Sequence, residues 1–102
     1  MMNKTLVEQH LDICKELNNT YRQKNHDYGN SFGNTFEKLG IISAVTRITD
    51  KYNRLVSLST LPLSERQVKD ESISDTLLDM ANYCIMTEME LRKEREALSY
   101  TE

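Results

Sequence analysis

Three carboxylates recur at every fourth position in one stretch of the chain. They are Glu71, Asp75 and Asp79, within Asp70-Glu71-Ser72-Ile73-Ser74-Asp75-Thr76-Leu77-Leu78-Asp79-Met80-Ala81-Asn82-Tyr83. On a helix, at about 100° per residue, they lie at roughly 0°, 40° and 80°, with Asn82 near 20°. Oxygen ligands stacked in this way can grip a hard cation such as Mg²⁺, which keeps positions open for water and phosphate oxygens. Such an ion polarises a phosphoryl group and activates a water for hydrolysis. The stack also carries a cost, on the order of a few tenths of a kcal/mol for each like-charged i, i+4 pair. Either a divalent cation or basic side chains from a neighbouring helix must offset it.

Two other groups of residues bear on the same chemistry. Arg47, Asp50 and Arg54 follow an i, i+3, i+7 register on one polar helix face, beside Ser43 and Lys51. Their guanidinium groups can take phosphate or orient carboxylates, and Asp50 can add a metal ligand. Asp50 lies nearly opposite its helix's apolar arc, so it reaches a shared site only where two surfaces of that helix are covered. The second group is Asn25-His26-Asp27-Tyr28-Gly29-Asn30-Ser31-Phe32-Gly33-Asn34, turn-rich and dense in hydrogen-bonding groups. As a loop it would offer aromatics for stacking, and the adjoining Lys24 would meet an anionic group. As a tight connection it would simply tuck Tyr28 and Phe32 into the core. Both charged stripes also admit a plainer role as solvated faces or interhelical ion pairs. No nucleophile–base pair, Gly-rich phosphate loop or Cys/His metal cluster is present in the sequence.

The elements that would position these residues are helical. Thr5-Leu6-Val7-Glu8 has the form of a capping box. From there Leu6, His10, Leu11, Ile13, Cys14, Leu17 and Tyr21 keep to one arc, which predicts an amphipathic helix over residues 5–24. Ile41, Ala44, Val45, Ile48, Tyr52, Leu55 and Val56 predict a second over 41–58. The stretch around Pro62 ends it, and Ser64-Glu65-Arg66-Gln67 fits a further capping box. The acidic helix begins near Asp70 and passes Leu91, with a mixed-charge end at Arg92-Lys93-Glu94-Arg95-Glu96. The expected fold class is all-α, with three main helices.

Composition bounds the rest. A chain of 102 residues is one domain, 1–102, and at 38% hydrophobic it is lean for a self-sufficient core. Short chains bury a smaller share of their surface, and association is a common remedy. A net charge of −3 argues against a general nucleic-acid binder. Neither a membrane span nor a signal-peptide core is present, so we expect a cytoplasmic protein. Cys14 and Cys84 fall on the apolar sides of two helices without CxxC spacing, and are expected to be buried reduced thiols. His10, within an apolar arc, is expected to be structural rather than a ligand.

Three blocks carry a family resemblance. Lys24-Asn25-His26-Asp27-Tyr28-Gly29-Asn30-Ser31-Phe32, Arg47-Ile48-Thr49-Asp50-Lys51-Tyr52-Asn53-Arg54-Leu55 and the acidic stretch from Asp70 to Tyr83 resemble, in order, a phage and prophage family. It is the nucleotide-modification-associated domain, and the blocks span roughly residues 20–86. The third block also resembles the acidic helix of the all-α nucleoside triphosphate pyrophosphatases, the MazG and dimeric dUTPase group. Those enzymes are Mg²⁺-dependent oligomeric bundles that release pyrophosphate from nucleoside triphosphates.

The resemblance implies a MazG-like bundle completed by oligomerisation, as a homodimer or homotetramer, acting on a nucleotide ligand. Glu71, Asp75 and Asp79 would be catalytic and would hold Mg²⁺, with Asp50 as a further ligand. Lys24, Arg47 and Arg54 would take phosphate charge, and Tyr28, Asn30 and Asn82 would contact base or sugar. The chain departs from that group on the preceding helix, where a cluster of glutamates gives way to Arg47, Asp50 and Arg54. A nucleotide-binding protein without turnover therefore stands as the alternative, as does an interaction protein whose stripes are salt bridges.

Overall fold

A computed structural model describes residues 3–62, 64 and 66–101, apart from the side chains of residues 28, 66–68, 100 and 101. The fold is all-α. Helices α1 (Leu6–Tyr28), α2 (Ser31–Leu39), α3 (Ile41–Ser59) and α4 (Arg66–Thr101) follow one another, with no strand among the described residues. The chain forms two compact units, Met1–Asn30 and Ser31–Glu102.

The first unit is α1. The Thr5 hydroxyl accepts from the Glu8 amide at 3.1 Å, and the Glu8 carboxylate reaches back to the Thr5 amide, so the expected capping box forms. Lys4 pairs with Asp12, and this contact holds the Asp12 carboxyl below the usual carboxylate range. Leu17 is buried and Tyr21 half-buried, whereas Leu6, Leu11 and Ile13 are exposed. The helix runs on through Tyr28, past the expected end at residue 24. It stops where Gly29 takes φ 68° and its amide closes on the Asn25 carbonyl at 2.9 Å.

The second unit is organised by the antiparallel pairing of α3 and α4, with α2 packed against both. Helix α2 corrects the expected loop. Of residues 25–34, only Gly29 and Asn30 lie outside helices. The asparagine and glycine density there reads as turn chemistry, yet Phe32 and Phe36 sit one turn apart and drive a short amphipathic helix. Phe36 is buried, and Phe32 stacks between it and Tyr83 of α4. Gly40, at φ 75°, turns the chain from α2 into α3. Its amide binds the Phe36 carbonyl at 2.7 Å, and its carbonyl accepts from the Ser43 hydroxyl at 2.8 Å. A left-handed φ of this kind suits glycine alone among common residues.

Few apolar residues are buried: among those described, Leu17 in the first unit and Phe36 and Ala44 in the second. Ile41, Val45, Tyr52 and Val56 of α3 and Leu77, Ile85 and Met89 of α4 are all more than a third exposed. This overturns the expected burial of the cysteines: Cys14 and Cys84 are both free and exposed. Each lies on an apolar helix face, but one chain does not cover those faces. His10 is exposed as well, with Nδ1 3.6 Å from the Cys14 sulfur. Of the capping box expected at residues 64–67, Glu65 lies outside the described residues. No helix among the described residues is long and apolar enough to cross a membrane.

Candidate functional site

The polar seam between α3 and α4 is built from three contacts in strict antiparallel register. The Arg47 guanidinium lies over the Tyr83 ring, 5.8 Å from its centroid. One turn on, Lys51 Nζ donates to Asp79 Oδ2 at 3.2 Å. After three more residues, Arg54 Nε donates to the Thr76 hydroxyl at 3.2 Å. Each step forward on α3 is matched by an equal step back on α4, which is what two straight helices packed side by side require. The spacing of Ala44, Arg47, Lys51, Arg54 and Leu58 alternates three and four residues, so the three contacting residues belong to one continuous face of α3.

Each contact has a distinct physical character. Tyr83 is fixed from behind by Phe32, with ring centroids 6.0 Å apart, and Phe32 by Phe36 at 6.5 Å. The Lys51–Asp79 pair is half-buried, with side chains 27% and 35% exposed. Thr76 is only 2% exposed, and its hydroxyl donates to the Ser72 carbonyl at 2.7 Å while accepting from Arg54. That satisfies both capacities of a buried hydroxyl. Arg47 and Arg54 themselves are exposed.

The acidic stripe is divided. Asp79 is drawn to the seam by Lys51. Glu71 and Asp75 are exposed and make no ion pair with any described residue. Asn82 is half-buried on the same side of α4. Asp50 is exposed and takes no part in the ion pairs that join α3 to α4 among the described residues. Lys24 and Asn30 are exposed residues of the first unit, and the Tyr28 side chain lies outside the described residues. The structure therefore brings together Arg47, Arg54 and Asp79 of the expected set. It adds Lys51, Thr76 and Tyr83, whose signal in the sequence is their register: Lys51 lies four residues after Arg47 and three before Arg54.

No group of three or more His, Cys, Asp or Glu side chains that could hold a metal ion occurs among the described residues. What the stripe keeps for a cation is the Glu71–Asp75 pair, one helical turn apart. A pair fits Mg²⁺ that arrives with a nucleotide, since that ion commonly takes one or two carboxylates and completes its shell with phosphate and water.

Comparison with known families bears on the same helices. No curated protein and no solved structure matches the chain. The likeness to the MazG-like pyrophosphatases thus rests on the acidic helix alone. Residues 24–91 match the family described as nucleotide modification associated domain 1. That segment takes in all of α2 and α3 and the whole α3–α4 seam. On a match over more than half its length, the chain belongs to the nucleotide modification associated domain 1 family.

Proposed function

We propose that the α3–α4 seam binds a nucleotide through its phosphates. The observation that carries this reading is the row Arg47, Lys51 and Arg54, three cations one turn apart facing a single paired carboxylate on α4. Two of the three are exposed guanidinium groups, the side chain best suited to bidentate phosphate contacts. Asn82, half-buried on α4, is the candidate group for base or sugar.

A second reading adds turnover, and it is favoured by Glu71 and Asp75, which make no ion pair with any described residue. In that reading the protein is a pyrophosphohydrolase of nucleoside triphosphates or of a modified nucleotide. Mg²⁺ entering with the substrate would supply charge neutralisation and an activated water. Glu71 and Asp75 would anchor it, with Asp79 and Asp50 as additional oxygen donors. The protein would act as a homodimer or homotetramer, because the apolar residues left uncovered on α3 and α4 need a partner surface.

Titration calorimetry with the common NTPs and dNTPs, with and without Mg²⁺, tests the first reading. Saturable binding that Arg47→Ala and Arg54→Ala weaken supports it, and no binding to any of them refutes it. A pyrophosphate assay on the same mixtures tests the second. Release that Asp75→Ala abolishes while the fold persists supports turnover. Binding without release leaves a protein that sequesters its nucleotide.

A further inference from the structure

We infer that Thr76 is a positioning residue of the phosphate site, acting through Arg54; this rests on the reading that Arg54 meets phosphate. Thr76 is the most deeply buried polar side chain of α4 among those described, and its hydroxyl is the partner of Arg54 Nε. A helix-facing threonine usually satisfies its hydroxyl on the carbonyl one turn back, as Thr76 does with Ser72. Thr87 does the same with Tyr83 and binds nothing else among the described contacts. Thr76 differs in that its hydroxyl oxygen also accepts a hydrogen bond from across the seam.

The choice of nitrogen decides what Arg54 can still do. An arginine has five N–H donors, and the bidentate fork that grips a phosphate includes the terminal amino groups. Thr76 takes Nε, so the guanidinium is restrained on its inner side while both terminal groups project from an exposed residue. Arg47 is restrained by a different device with the same outcome. The Tyr83 ring holds its guanidinium through the π face and consumes no N–H donor. Restraint before binding lowers the entropy lost when the anion docks.

The test uses inorganic tripolyphosphate as the probe, titrated calorimetrically into the full chain. Thr76→Val keeps the shape and removes the hydroxyl, and it should weaken binding about five- to tenfold. Thr76→Ser should restore it to within about twofold. In an Arg54→Ala background Thr76→Val should cost nothing further, because a residue that acts through Arg54 has no one left to act on. Arg54→Lys keeps the charge on an exposed side chain but not the fork, and should lose at least as much as Thr76→Val. Additive losses, or wild-type binding by Arg54→Lys, overturn the inference, and the latter does so even where Thr76→Val fails to fold. If Arg54→Ala itself leaves binding unchanged, the phosphate reading of the site fails first.

Discussion

The Lys51–Asp79 pair offers a measurable test of what holds the seam together. At 3.2 Å and an effective dielectric of about 20, its Coulomb attraction is about 5 kcal/mol. Desolvation and side-chain ordering cancel most of that. Exposed pairs retain about 0.2–1 kcal/mol, and partners that are 27% and 35% exposed belong at the upper end, near 1 kcal/mol. The neighbouring Asp75 makes the two single variants unequal. Lys51→Met takes the Lys51 ammonium from Asp79 and keeps the like charge of Asp75 one turn away, adding a few tenths of a kcal/mol, for a total of about 1–1.5 kcal/mol. Asp79→Asn removes the attraction and the repulsion together and should cost about 0.5–1 kcal/mol. Urea unfolding of both variants and the double variant, at one protein concentration, gives the coupling energy. We expect about 1 kcal/mol, shrinking as salt is raised. Additivity within about 0.3 kcal/mol, or a costlier Asp79→Asn, would refute the pairing as the compensation for the acidic stripe.

Three other outcomes follow from the same structure. Gly40→Ala forces a side chain into φ 75° and should destabilise by about 1–2 kcal/mol in thermal or urea melts, although the space around its Cβ is open. Val45→Lys with Tyr52→Lys places charge on the uncovered face of α3; sedimentation should show a dimer or larger for the parent chain and a monomer for the variant, with helicity unchanged. Arg92 and Arg95 hold the Glu88 carboxyl below its ordinary value through hydrogen bonds of 2.8 and 3.0 Å. The folded-state pKa is the lower one, so the contribution is present above the ordinary carboxylate pKa and lost as pH falls through the folded value; the stability gap between the parent and Glu88→Gln should close in acid.

The long helices were legible in the sequence because their apolar residues repeat with helical period over several turns. Thus α3 was expected over 41–58 and spans Ile41–Ser59. Helix α2 was not legible, since nine residues with two asparagine or glycine positions between a pair of phenylalanines read as turn chemistry in isolation. Only the packing of Phe32 on Tyr83 shows what the phenylalanines are for. The cysteines failed for a related reason. Periodicity identifies an apolar face, but whether a face is covered depends on what lies against it, and a single chain leaves both exposed. For the site, the residue types were readable and their partners were not. Arg47, Arg54 and Asp79 all stood out by spacing, but spacing along one helix says nothing about its offset from the next.

That offset is what gives the charge pattern its meaning. Arg47 is level with Tyr83, Lys51 with Asp79 and Arg54 with Thr76, so three cations on α3 meet one carboxylate on α4. Continuing the same steps places Asp75 level with Leu55 and Glu71 level with Ser59, both uncharged residues of α3. A pairing of stripes for stability alone would set Arg54 or Lys51 against those carboxylates, and a slip of one turn would do so. The observed register instead leaves an excess of positive charge along Arg47–Arg54 and an excess of negative charge just beyond it. Like charges gathered at each end repel one another, a cost that a ligand carrying both signs would offset, as a phosphate chain with its divalent cation does. That segregation is what the proposed nucleotide site would use, and helix pairing alone does not call for it.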